Sequence, residues 1–175
     1  RKWRKPEIGW VKLNVDGSRN HEEPSAGCGG VIRNESGRWL LGFAKKLDPD
    51  ICDQAHWTEL QAILTGLELA SDMKVKNLVV ESDSESVCNM VKRERLRFRP
   101  HRSEYKIVQD IIRFLKHPKW QARLEHVPKT ANRVANHLAK LARKSSFPHD
   151  HLSTYLVPPN DDSNQLFLDD NEQGV

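Results

Sequence analysis

Three carboxylates stand where strands and helices begin or end. Asp16 closes a stretch in which Val11, Leu13 and Val15 alternate with Lys12 and Asn14, and it precedes Gly17. Asp83 follows the apolar run Leu78-Val79-Val80. Glu59 opens a stripe of Leu60, Ile63, Leu64, Leu67 and Ala70 at helical spacing. Ligand crevices form at the carboxyl ends of strands in open α/β sheets, so the three acids could meet if their strands are neighbours. Converging anions repel and hold protons unless a cation neutralises them. Mg2+ suits that role, because it takes a few carboxylates together with waters and substrate phosphates. Two such ions about 4 Å apart clamp the attacking and leaving oxygens of an in-line phosphoryl displacement. Taken singly, the same acids also fit ordinary roles as a turn residue, a first-turn helix acid and a helix cap.

The elements that must position them follow from periodicity. Val11 to Asp16, Gly29 to Arg33 and Trp39 to Ala44 read as three strands on short links, an antiparallel meander. The stripe from Leu60 to Ala70 is a helix, and Leu78-Val79-Val80 is a buried strand. A second helix begins near the cap Ser84 and runs through Val87 and Val91; Arg93 to His101 reads as a loop. Ile107 to Leu115 is a third helix, ending before Pro118. Gln121 to Val127 is a fifth strand, and Ala131 to Ala142 a last helix. The order β-β-β-α-β-α-α-β-α gives an α/β class with a mixed sheet.

The 175 residues suffice for one domain with a core. The chain divides into a basic lead-in at 1–9, a folded body at 10–157 and an acidic tail at 158–175 that reads as disordered. The formal net charge is +4; the tail holds Asp161, Asp162, Asp169, Asp170 and Glu172 and no base, which leaves +9 on the rest. A basic body fits an anionic partner, nucleic acid first, and equally a solubilising surface. The three cysteines, Cys28, Cys52 and Cys88, are odd in number and spaced unlike a zinc motif, which fits a reducing compartment. No apolar run approaches the roughly 18 residues of a membrane span. The first residue is not Met, as in a piece of a longer polypeptide.

Five motifs, in order, resemble the ribonuclease H family: Asn14-Val15-Asp16-Gly17-Ser18, Gly27-Cys28-Gly29-Gly30-Val31-Ile32, Thr58-Glu59-Leu60-Gln61-Ala62, Glu81-Ser82-Asp83-Ser84 and the run His126 to Ala139. Within it they are similar to the plant ribonuclease H-like domains related to retroelement reverse transcriptases, as is the lead-in of Trp3 to Pro6 followed by Gly9-Trp10-Val11-Lys12-Leu13. The resemblance implies a ribonuclease H-like fold, a five-stranded mixed sheet with helices on both sides. It implies endonucleolytic hydrolysis of the RNA strand of RNA–DNA hybrids with two Mg2+ ions, Mn2+ being an alternative. It assigns metal binding to Asp16, Glu59 and Asp83. The family's last Asp, four residues after an Asn, falls on Asn136, with Asn132 keeping its place. An amide there keeps one ligand oxygen and loses one charge, which weakens the second metal. His126 takes the place of the family's mobile-loop histidine, a proton carrier.

For nucleic-acid contacts, Arg95, Arg97 and Arg99 lie in a segment crowded with cations from Lys92 to Arg102, able to grip phosphates or to stand as a solvated loop. Ser18, Asn34, Ser84 and Asn132 are candidates by their positions in the motifs, facing 2′-hydroxyls in a wide minor groove. A catalytically weakened or inactive nucleic-acid-binding module of the same fold is the alternative to the nuclease, and Asn136 separates the two. Proofreading exonucleases place Asp-x-Glu on the first strand, where this chain has Asp16-Gly17-Ser18; integrases place their Glu last. An intracellular monomer is expected, nucleus and cytoplasm undistinguished.

Overall fold

The computed structural model describes residues 1–51, 56–96 and 106–172. Its strands are β1 (Val11–Asn20), β2 (Ser25–Arg33), β3 (Trp39–Leu47), β4 (Asn77–Ser82), β5 (Gln121–His126) and β6 (Leu152–Tyr155). The helices are α1 (Trp57–Asp72), α2 (Glu85–Leu96), α3 (Lys106–Leu115), α4 (Arg133–Lys144) and α5 (Asp161–Asn171). They form one six-stranded sheet in the order β5-β4-β1-β2-β3-β6. β1, β2, β3 and β6 pair antiparallel, and β4 pairs parallel with β1 and β5. This is the mixed α/β sheet that the pattern predicts, with one strand more than the five expected. β6 adds only four residues with no buried apolar face, too short for alternation to mark it.

Strand alternation splits the interior between the two faces. Leu13, Val15, Cys28 and Ile32 pack with Leu60, Ile63, Leu67 and Ile111 from α1 and α3. Val31 and Trp39 pack with Val134 and Leu138 of α4, joined by Tyr155, Leu166 and Phe167. α1 thus covers one face and α4 the other, and both carry candidate site residues.

The tail corrects the expectation of disorder, because residues 161–171 form α5. Its few apolar residues hid it. Asn160 and Ser163 make a reciprocal capping box, and Asp161 and Asp162 favour the positive end of the helix. The helix buries Ser163 and Asp170. Asp170 Oδ2 pairs with Arg33 at 2.7 Å, with both side chains buried. Phe167 meets Trp39 edge-on at 5.7 Å between ring centroids. At the other terminus, Trp3 is 1% exposed, donates Nε1–H to Asn14 Oδ1 at 3.0 Å and lies under the Arg33 guanidinium at 3.8 Å. Lead-in and tail therefore join the body through one buried arginine. α2 also runs further than expected, so Arg95 belongs to a helix, while Arg97 and Arg99 lie outside the described residues.

Candidate active site

β1 runs on to Asn20, so Asp16 is inside a strand and not at its end. The parallel ladder with β4 nevertheless stops at Val15 opposite Ser82. Asp16 and Asp83 are the next residues on each side, where the two backbones part. Glu59 arrives from the first turn of α1. One carboxylate oxygen from each of Asp16, Glu59 and Asp83 lies within 4.8 Å of the others. The anticipated convergence is present.

Gly17 makes this approach possible. A Cβ at Gly17 would collide with the Thr58 side chain and stand 2.7 Å from the Glu59 backbone nitrogen. Only a bare backbone lets the start of α1 press against β1. The Gly17 N–H donates to Asp16 Oδ1 at 3.0 Å and also favours the ionised form of Glu59. On the other face, a Cβ at Gly29 would stand 2.6 Å from the Ala139 backbone nitrogen, so Gly29 admits α4, the helix that carries Asn136. Sequence reading treats Gly17 as turn punctuation and misses its part in seating Glu59. The nearest signal is the glycine density of 27–30, which the β1–β2 register sets beside Gly17.

The cluster is electrostatically unfinished. Burial, then the charges of Asp16 and Asp83, push Glu59 up to about 9. Burial and then Asp16 raise Asp83 to about 6, against the opposing pull of a hydrogen bond from Asn132 and the charge of Lys129. Glu59 Oε2 is buried with no hydrogen-bond partner. A polar atom in that state costs about 1–3 kcal/mol. Oxygen donors with an orphaned lone pair and mutual repulsion fit a hard divalent cation.

The remaining candidates divide. Asn136 enters the site as a donor, its Nδ2 giving a hydrogen bond to Asp16 Oδ2 at 2.8 Å. His126 ends β5 opposite Ser82, the residue before Asp83, and is exposed. Ser84, beside Asp83, caps α2 through Oγ to the Val87 N–H. Ser18 accepts a hydrogen bond from Arg143 Nε at 2.8 Å. Asn132 is buried at 1% exposure, donating to the Val15 carbonyl at 2.9 Å and accepting from Asn14 at 3.1 Å. It braces the site from inside and presents nothing to a groove. Asn34 lies at the far end of the sheet, since Asp16 faces Gly29 whereas Arg33 faces Lys12. There its Oδ1 closes the β2–β3 turn by accepting from the N–H groups of Ser36 and Arg38. It is therefore remote from the carboxylates.

With this geometry the family match acquires a meaning. The family described as reverse transcriptase-like matches residues 14–142, which include all three carboxylates. The chain belongs to the reverse transcriptase-like family. A relative, an Arabidopsis thaliana protein named "putative ribonuclease H protein", is 31% identical over 140 residues, 80% of this chain. The chain spans only 22% of that relative's length. Among solved structures, the fold is similar to ribonuclease H1 of the archaeon Halobacterium salinarum, with a TM-score of 0.61 and 18% identity over 76% of this chain and 96% of the other. It is equally similar to a ribonuclease H1 called LC11 solved in complex with an RNA/DNA hybrid, with a TM-score of 0.62, 18% identity and the same coverage. The N-terminal RNase H domain of a Mycobacterium tuberculosis protein gives 0.61, 19% identity and 77% and 93% coverage. The family member is a ribonuclease H-like domain in fold. Among its described residues, no helix is long and apolar enough to cross a membrane.

Proposed function

We propose that the domain is a metal-dependent endonuclease that hydrolyses the RNA strand of RNA–DNA hybrids. The observation that carries the reading is the meeting of Asp16, Glu59 and Asp83 within 4.8 Å, with Glu59 Oε2 left without a partner. These three would hold two Mg2+ ions, with Asn136 beside Asp16. Bound there, the ions supply positive charge to the scissile phosphate and ease the ionisation of an attacking water.

The chain's own groups do the rest. Asp16 is held by the Gly17 N–H and the Asn136 amide, which fixes its oxygens toward Glu59 and Asp83. Asn132 and Lys129 favour the ionised state of Asp83, the state a cation needs. His126, exposed on the neighbouring strand end, is available to protonate the departing oxygen.

Asn136 favours a second reading, a binding module of the same fold that has lost catalysis. Its N–H already satisfies part of Asp16 without any metal. Incubating a labelled RNA–DNA hybrid with the protein, with and without Mg2+ and beside an Asp16→Asn control, separates the two. Metal-dependent cleavage lost in the control supports the nuclease; binding without cleavage under every metal tried leaves the module.

A further inference from the structure

The basic lead-in has no role in the reading above, yet it is built into the fold. Trp3 and Pro6 are buried, while Arg1, Lys2, Arg4 and Lys5 are exposed. The indole is fixed by its hydrogen bond to Asn14 and by Arg33 stacked on its ring. Lys12 Nζ clasps the Arg4 carbonyl at 2.7 Å. The Thr130 hydroxyl donates to the Arg1 carbonyl. Four like charges are therefore held together on an ordered segment and not left to drift apart. Ordering costs backbone entropy, and the repulsion among the cations is added to it. Nearby acids offset that charge only in part. Asp170 is paired with Arg33 inside, Asp169 faces Arg133 at 3.7 Å, and Glu7 and Glu172 are exposed beside the segment.

Thr130 links this segment to the site. It lines a groove of about 460 Å3 together with Asp83, Asn136, Lys129, Arg133 and Lys140. Arg133 and Lys140 stand two turns apart on the same face of α4. Positive charge thus runs from the carboxylate cluster along the groove, past Lys129 and Thr130, to Arg1, Lys2, Arg4 and Lys5. We infer that this belt binds the phosphate backbone of a nucleic acid that extends beyond the carboxylate site, with the pinned lead-in as its outer end. The inference rests on the proposed substrate class, because only a polyanion reaching into the site would meet both ends of the belt. An acidic protein or an anionic membrane would meet the outer end alone.

The test is binding without turnover. Fluorescence anisotropy in EDTA compares a long RNA–DNA hybrid with a short one that covers only the site, over a range of salt. The triple variant Lys2→Gln, Arg4→Gln, Lys5→Gln is expected to weaken the long hybrid at least tenfold. It should lower the salt slope by roughly two units, at about 0.7–0.9 for each phosphate no longer neutralised, and leave the short hybrid unchanged. Trp3→Ala, which keeps every charge but frees the segment, should reproduce part of that loss; retention of full long-hybrid affinity there would overturn the requirement for pinning. Unchanged affinity and slope in the triple variant, or equal losses on both lengths, would overturn the belt. So would a variant-sensitive affinity for anionic vesicles with no preference for the long hybrid. Cleavage of the short hybrid with Mg2+ is scored separately, so an inactive site and an idle belt give different results.

Discussion

Asn136 turns its amide nitrogen toward Asp16 and gives a hydrogen bond at 2.8 Å to the same carboxylate that pairs β1 with the proposed metal site. A neutral donor thus stands where a fourth anion would complete the charge balance. Two divalent cations bring four positive charges, and Asp16, Glu59 and Asp83 bring three negative ones. Asn136→Asp should therefore tighten the weaker cation by about 1–2 kcal/mol, roughly tenfold in the metal concentration required. Mn2+, more tolerant of neutral ligands, should support the natural protein better than Mg2+. Calorimetric metal titration and cleavage rates check both. An Asn136→Asp protein with unaltered metal dependence would remove Asn136 from the metal environment.

Glu59 sets a pH dependence of stability. Burial first, then Asp16 and Asp83, raise it in the folded state to about 9 from an ordinary 4.5. Between those values the folded protein binds more protons than the unfolded chain, so without metal its stability should fall as pH rises across that window. Glu59→Gln removes this ionisation. In EDTA near the top of the window it should raise the melting temperature by roughly 3–6 °C, about 1–2 kcal/mol for a chain of this size. In saturating Mg2+ the order should reverse, because the natural protein alone gains cation binding. Thermal melts at two pH values, with and without metal, check the sign of each change.

Gly17→Ala should separate the helix from the strand. The added methyl meets the Thr58 hydroxyl and the backbone of Thr58 and Glu59, and that backbone cannot rotate away. The expected outcome is a loss of about 1–3 kcal/mol in stability, with metal affinity weakened beyond that of a surface mutant of equal stability. Ala at Gly9, which stands in open space but at φ +85°, provides the comparison, a strained backbone away from the site. Equal metal affinity in both variants would contradict the role given to Gly17.

Asp170→Ala leaves the Arg33 guanidinium buried without its partner. Breaking a buried pair in this way costs about 3–5 kcal/mol. Denaturant unfolding should show that loss, and truncation before residue 158 should match or exceed it. A tail that only solubilised the protein would give neither effect.

Much of this molecule was legible in its residues. Alternation at Val11, Leu13 and Val15 and the 3.6-residue stripe from Leu60 to Ala70 mark β1 and α1 because each buries one face, and burial writes a period into the chain. The motifs around Asp16, Glu59 and Asp83 carried the site for a related reason: an acid beside an apolar run or opening a helical stripe is a short-range pattern. The misses share an opposite cause. α5 hides because its fully buried residues, Ser163 and Asp170, are polar, the latter paired with an arginine more than a hundred residues away, and its few apolar residues, Leu166 and Phe167 among them, make no period that announces a helix. Asn132 and Asn34 share a residue type and a motif-level expectation, yet one is sealed behind the site and the other is at the far end of the sheet. The sequence by itself determined the five strands and four helices of the body, the family and the three carboxylates. Only the tertiary structure decided how close the acids stand, which way the Asn136 amide points and that both chain ends close on Arg33. Those outcomes depend on contacts between segments remote in sequence, at the scale of a single missing Cβ at Gly17, and local pattern carries no record of such contacts.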